Sequence, residues 1–211
     1  MSFYKKIYFD QQTAVYLWKI EESFDELLEG MRLKEATKER LMGMKSKSHQ
    51  LGFLGVRKIL EHLNYSDLDL MYSPSGKPML TDGTPISITH SFEFSAIAVG
   101  PQTVGIDMEM QRSKISRIAS KFAKEVFCYH ENDANLESAL LTVVWGAKEA
   151  IFKIMDAPGI SFLDHIEVKA FDLNSGKTTA VLHWEGRDTI FDISFEQIEN
   201  YFLVYALKQD L

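Results

Sequence analysis

Cysteine is almost missing from this chain. Cys128 is the only one in 211 residues, so no intramolecular disulfide can form and cysteine-rich zinc sites are excluded. Long apolar runs are missing too: none approaches the ~20 residues that a membrane-spanning helix needs. The opening stretch MSFYKKIYFD has lysines with no apolar segment behind them, so it is not read as a signal peptide. There is no P-loop, no G-x-G-x-x-G and no G-x-S-x-G elbow. Positive charge is in deficit, with 23 basic against 30 acidic residues and a formal charge of −7. That balance disfavours a nucleic-acid backbone as the main partner, although it leaves room for a local basic patch. These absences lead us to expect a cytoplasmic protein with neither a membrane nor a nucleic acid as partner.

What is present points to a globular fold. Hydrophobic residues make up 45% and aromatics 12%, enough for one large domain or two small lobes. KKIYFDQQTAVYLWKI is strand-like, and a charged helical stretch follows from about Ser23 to Leu41. KSKSHQLGFLGVRKILEHL carries Leu51, Leu54, Ile59 and Leu63 at helical spacing. SPSGKPML is turn-rich. PISITHS, FSAIAVG and VGIDMEM read as three short strands, residues 112–127 and about 138–155 as helices. FLDHIEVKAFDL, TTAVLHW, TIFDISFEQ and YFLVYALK read as a closing antiparallel meander, with turns at Asn174–Gly176 and Glu185–Gly186. The order of elements suggests an α+β chain of two similar lobes, 1–101 and 102–211, with a boundary near Gly100–Thr103.

Four stretches can carry chemistry. In TVGIDMEMQR, the two-residue strand period puts Asp107 and Glu109 on one face, their backbones roughly 7 Å apart. Two carboxylates there suit a hard cation such as magnesium, and a merely polar edge face would look the same. In VVWGAKEAIFK, helical spacing sets Val144, Ala147, Ile151 and Ile154 against Trp145, Lys148, Glu149, Phe152 and Lys153. A solvated face with a Glu149–Lys153 pair accounts for the charges and leaves Trp145 unexplained. A lined cleft, with Glu149 as a metal ligand and lysines as phosphate partners, accounts for both. In PISITHS, His90 ends a strand, where an imidazole either caps the strand or donates to a phosphate. In SGKPML, Gly76 and Pro78 fix a turn around Lys77.

Taken together and in this order, the four stretches resemble the 4′-phosphopantetheinyl transferases, specifically the larger, pseudo-dimeric Sfp-type class. The motifs stand here as Gly76-Lys77-Pro78, Thr89-His90-Ser91, Gly105-Ile106-Asp107-Met108-Glu109 and Trp145 to Lys153, with Arg57 resembling an upstream helical arginine. The likeness covers roughly residues 45–165. Thr89 stands where serine is more usual, and Met110 where a basic residue commonly follows the glutamate. The resemblance implies a pseudo-two-fold pair of lobes with the active site in the cleft between them. It implies Mg²⁺ on Asp107, Glu109 and Glu149, and coenzyme A as co-substrate held by Arg57, Lys77, His90 and Lys148. A serine hydroxyl of an apo carrier protein would then take the 4′-phosphopantetheine arm and release 3′,5′-ADP, with Glu149, Lys153 and Glu109 as catalytic groups. The base would be Glu149 or a water on the cation, and Glu131 is a further candidate near that water.

Past the metal strand, Lys114, Arg117, Lys121 and Lys124 fall at α-helical spacing beside an apolar row of Ile115, Ile118 and Phe122. That is either an ordinary amphipathic surface helix or a docking stripe for an acidic acyl or peptidyl carrier protein. A monomer is expected. Another magnesium-dependent phosphotransferase or pyrophosphatase would share the acidic cluster without a carrier. A non-catalytic coenzyme A or carrier-binding module would keep the binding without the chemistry.

Overall fold

The computed structural model describes residues 3–9, 12–127 and 133–209. The chain divides into two compact units, Met1–Gln102 and Thr103–Leu211. Every described strand pair is antiparallel. No helix among the described residues is long and apolar enough to cross a membrane.

The first unit opens with β1 (Phe3–Tyr8) and β2 (Ala14–Lys19), so the strand-like start is a hairpin. The charged stretch expected as one helix is two, α1 (Phe24–Leu28) and α2 (Glu35–Gly43). Ser23 and Glu26 form a reciprocal capping box that starts α1, and Gly30 at φ +74 lies in the turn between the helices. Next comes α3 (Lys47–His62), whose N-cap Ser46 accepts the His49 N–H. Leu54, Val56, Ile59 and Leu60 of α3 are fully buried, while Leu51 and Leu63 are packed at the margins. The turn-rich SPSGKPML segment is a small hairpin of β3 (Leu70–Tyr72) and β4 (Pro78–Leu80). β5 (Ile86–Ser91) and β6 (Phe94–Val99) complete a four-stranded sheet in the order β1-β2-β6-β5.

The second unit starts with β7 (Val104–Met110). Two 3₁₀ segments follow, Ser113–Lys121 and Glu125–Phe127, where the sequence suggested an α-helix. Then comes α4 (Ala134–Met155), started by the Asp133 carboxylate, which accepts the Asn135 and Leu136 N–H groups. It ends at Asp156 in the left-handed region, φ 48, just before Pro158, which cannot continue a helix. β8 (Ile166–Val168), β9 (Lys177–Trp184), β10 (Arg187–Ile198) and β11 (Tyr201–Lys208) form the meander. The sheet runs β7-β11-β10-β9-β8, so the last strand returns to lie beside β7. The expected long strand in FLDHIEVKAFDL shrinks to three residues.

One broad face of α4 is buried and a narrower one is half-buried. Val143, Val144, Ala147, Ala150 and Ile151 are fully buried, and Lys148 is only 3% exposed. Trp145, Glu149, Phe152 and Lys153 form the half-buried face opposite these, with Trp145 and Phe152 packed against the unit's core; of the residues expected on that face, only Lys148 is in the core.

Candidate functional site

β7 presents Gly105, Asp107 and Glu109 on the face that meets α4. Close approach is possible because Gly105 has no side chain: a Cβ there would lie 1.9 Å from the Ala150 carbonyl oxygen. One turn back along the helix, Gly146 leaves room over Val204 and Asp107. The strand period thus lays the two carboxylates beneath α4, which brings Glu149 and Lys153. Asp107 is 6% exposed. The Lys153 ammonium donates to Asp107 Oδ1 at 2.8 Å and to the Ile106 carbonyl at 2.8 Å.

The carboxylates feel one another. Burial pushes the Glu109 carboxyl up to about 7, with the Asp107 charge adding to the rise; Arg112, Trp145 and Lys153 pull the other way. Glu149 is also raised, first by burial and then by Asp107, against Lys153. Crowded carboxylates of this kind suit a hard divalent cation in donor chemistry, because all are oxygen ligands and a cation relieves the repulsion. The expected three-ligand cluster is nonetheless not closed. Among the described residues, no group of three or more His, Cys, Asp and Glu side chains stands ready to hold a metal. The cation lying on Asp107 is the Lys153 ammonium.

Trp145, which the sequence left unexplained, has a clear place. Its indole lies beside Glu109, and the two residues line the same hollow. Its ring packs edge-on to Phe122 at 5.1 Å and tilted to Phe162 at 5.5 Å. Beside Glu109 lies a hollow of about 210 Å³ lined by Met110, Arg112, Lys114, Ile115, Ile118 and Trp145. Arg112, which the motif reading passed over, supplies positive charge next to Glu109, two residues beyond Met110. A non-apolar-face tryptophan was the one available sequence signal for this hollow.

Other expected site residues sit differently. Lys148 does not point toward the carboxylates: its ammonium donates to the backbone carbonyls of Phe162 and Ile166. Burial pulls it down to about 8. Arg57 is 2% exposed. Its Nε donates to Asp67 at 3.1 Å and its Nη1 to the Phe53 carbonyl at 3.2 Å, while the guanidinium lies 3.5 Å from the Phe53 ring centre. Both cations are thus committed to internal partners, because a buried charge is stable only when paired and hydrogen-bonded. His90 is exposed at the end of β5, with its ring against Gly52 of α3 and edge-on to His49 at 5.9 Å. Lys77 follows Gly76, at φ +90, in the β3–β4 turn, and its N–H donates to Ser73 Oγ. Glu131 lies outside the described residues.

The basic stripe also changes. In a 3₁₀ helix side chains three apart eclipse, so Lys114 and Arg117 share a column. Lys121 falls in the next column, with Ile115 and Ile118. Lys124 lies beyond the segment, 3.5 Å from the Glu167 carboxylate. The α-helical row of four is therefore not formed.

Residues 103–206 match the family model of the 4′-phosphopantetheinyl transferase superfamily. That segment carries β7, α4 and the Asp107, Glu109 and Glu149 carboxylates. No curated protein matches the chain. The match supports a transferase of this general kind, consistent with the mixed α/β architecture.

The raised carboxyls give a pH prediction. A group whose folded-state pKa lies above its unfolded value stabilises the fold at low pH, and that contribution is lost as pH rises. For Glu109 the window runs from the ordinary 4.5 to about 7. In chelator, thermal stability is expected to fall across that window and then level off on its account. Glu109→Gln is expected to flatten the profile relative to wild type in a calorimetric pH series. Parallel profiles for the two proteins would mean that the burial of Glu109 is not felt.

Proposed function

We propose that the protein transfers the 4′-phosphopantetheine arm of coenzyme A to a serine hydroxyl of an apo carrier protein, as an Sfp-type enzyme. The observation that supports this most is the carboxylate group under α4, with Lys153 beside it, inside the segment that matches the superfamily. Asp107, Glu109 and Glu149 would hold magnesium, which when bound supplies charge neutralisation between the carboxylates and the pyrophosphate. The chain's own groups do the remainder. Glu149, raised by burial and by Asp107, accepts the serine proton. The serine oxygen bonds to the phosphorus that bears the pantetheine, and the pyrophosphate P–O bond breaks. Lys153 balances charge on the departing 3′,5′-ADP phosphate. Lys77 and His90 are assigned to coenzyme A phosphates. Arg57 and Lys148 are withdrawn from that role, since both are buried on internal partners.

The test is direct: incubation with coenzyme A, magnesium and a panel of apo acyl and peptidyl carrier proteins, read by carrier mass. Gain of one phosphopantetheine, abolished by EDTA, is the expected result. Phosphate release without carrier modification would favour a phosphatase or pyrophosphatase, and neither product would favour a binding module.

The carrier is read as acidic. Arg112 and Lys114 rim the hollow beside Glu109, and Ile118 next to it is 40% exposed. Charge reversal of Lys114 and Arg117 together is expected to raise the carrier KM about 10-fold at low salt with kcat largely kept, because surface charges steer encounter. Added salt should shrink the difference. An unchanged carrier KM at low salt would dismiss this face as the docking surface and leave the transferase reading standing.

A further inference from the structure

Lys148 is, with Arg57, a buried charge that the proposed reaction does not use. Its position is specific. It lies three residues after Trp145 and four before Phe152 on α4, and its ammonium donates to the carbonyls of Phe162 and Ile166. Those two bonds fasten the segment between α4 and β8 back onto the helix. The fastened segment carries Phe162, whose ring fills the space between Trp145, at 5.5 Å, and Phe152, at 5.9 Å. Phe122 supports Trp145 from another direction. The indole so held walls the hollow that Glu109 also lines.

We propose that Lys148 is a positioning residue: by tying the Phe162–Ile166 segment to α4 it fixes the Trp145 indole and, through it, the wall of the hollow that Glu109 lines. A lysine suits this task. Two carbonyl oxygens at a helix-to-strand connection are polar groups removed from water, and leaving them without donors is costly. One ammonium satisfies both from a single helical position, and a leucine or methionine of similar size satisfies neither. The linkage runs through packed aromatic rings, which shift as bodies and not by gradual deformation. The hollow at its end is lined by Glu109, one of the carboxylates assigned to the metal and to catalysis, so the kinetic part of the proposal rests on the transferase reading. The structural part does not.

The experiment uses the whole chain with ¹⁵N-labelled indoles. The three tryptophans, Trp18, Trp145 and Trp184, give three N–H signals, and Trp145 is assigned by its loss in Trp145→Phe. In Lys148→Met the Trp145 signal is expected to move from its wild-type position, because the ring loses the support of Phe162. Trp184, whose ring packs edge-on to His165 of the same segment at 4.8 Å, is expected to move with it. Trp18, in the first unit, is expected to stay. Turnover should fall about 10-fold with the coenzyme A KM within about 2-fold, and Lys148→Arg should restore both the Trp145 signal and most of the turnover. Phe162→Leu, which thins the same linkage without touching a buried charge, should move the Trp145 signal even if Lys148→Met does not fold. A shift confined to Trp184 would overturn the proposal, because the bonds would then serve the connecting segment alone. An unmoved Trp145 with a coenzyme A KM raised 10-fold or more would overturn it in favour of direct phosphate binding by Lys148. If wild type transfers nothing to any carrier, the indole signals still decide the structural part, so the two failures are told apart.

Discussion

Asp107→Asn is expected to lower phosphopantetheine transfer at least ~100-fold, the scale of removing one strong electrostatic stabiliser, while the protein stays folded. Asparagine keeps the shape of the side chain, so the space beneath Gly146 remains filled. The charge is what disappears. Lys153 loses its ionic partner but keeps the Ile106 carbonyl. Glu109 and Glu149 each lose the negative neighbour that helps to raise them, so both ionise more readily. The loss of one ion pair and the relief of two repulsions oppose each other, and thermal stability should move by only a few degrees. Transfer has no such compensation. A cation held by two carboxylates is held less tightly than one held by three, and turnover at limiting magnesium should suffer more than at saturation. Carrier mass measured across a magnesium titration checks this. A variant within about 5-fold of wild type at limiting magnesium would remove Asp107 from the site.

Asp107 and Glu109 were legible because a strand has a period of two and the pattern VGIDMEM fits no other element. The face they share is the one the structure turns toward α4. Lys153 and Glu149 were legible from helical spacing. Lys148 was not, because periodicity places a residue on a face and does not say what covers that face. α4 is enclosed by β7, β11 and the connection to β8, so a lysine that a helical wheel sets beside charged neighbours ends in the core. Arg57 went astray for the same reason: its partner Asp67 is ten residues away in a loop that no local pattern links to α3. The 3₁₀ segment at Ser113–Lys121 was read with the wrong period, 3.6 where the backbone uses 3.0, and the basic row dissolved with it. Trp145 shows the opposite case. It did not fit the simple amphipathic reading, and the structure sets it between Phe122 and Phe162 on the wall of the hollow that Glu109 lines.

Gly105→Ala is expected to be the most damaging single-methyl change in the second unit. The added Cβ would stand 1.9 Å from the Ala150 carbonyl oxygen and 2.7 Å from its carbon, with Ile154 Cγ1 at 3.0 Å. The first two atoms belong to the helix backbone, so no rotamer change can make room. Either α4 lifts off β7 or the strand leaves its register with β11, where Gly105 pairs with Ala206. Over-packing of this sort costs ~1–3 kcal/mol where side chains can give way and more where they cannot. We expect ~3 kcal/mol or more, a fall in melting temperature of about 10 °C for a unit of this size. Ile154→Val should not rescue it, because the obstruction is the carbonyl and not the isoleucine. Gly43→Ala is the matched control: it ends α2, its added Cβ would meet nothing within 4 Å, and alanine is the better helix former, so its melting temperature should hold or rise. The same lift of α4 would carry Lys153 away from Asp107, so whatever Gly105→Ala protein still folds should also transfer poorly. A Gly105→Ala protein that melts within about 2 °C of wild type would show that β7 and α4 are not pressed together as described. The glycine that opens Gly-Ile-Asp-x-Glu would then have no structural reason to stand beside the carboxylates.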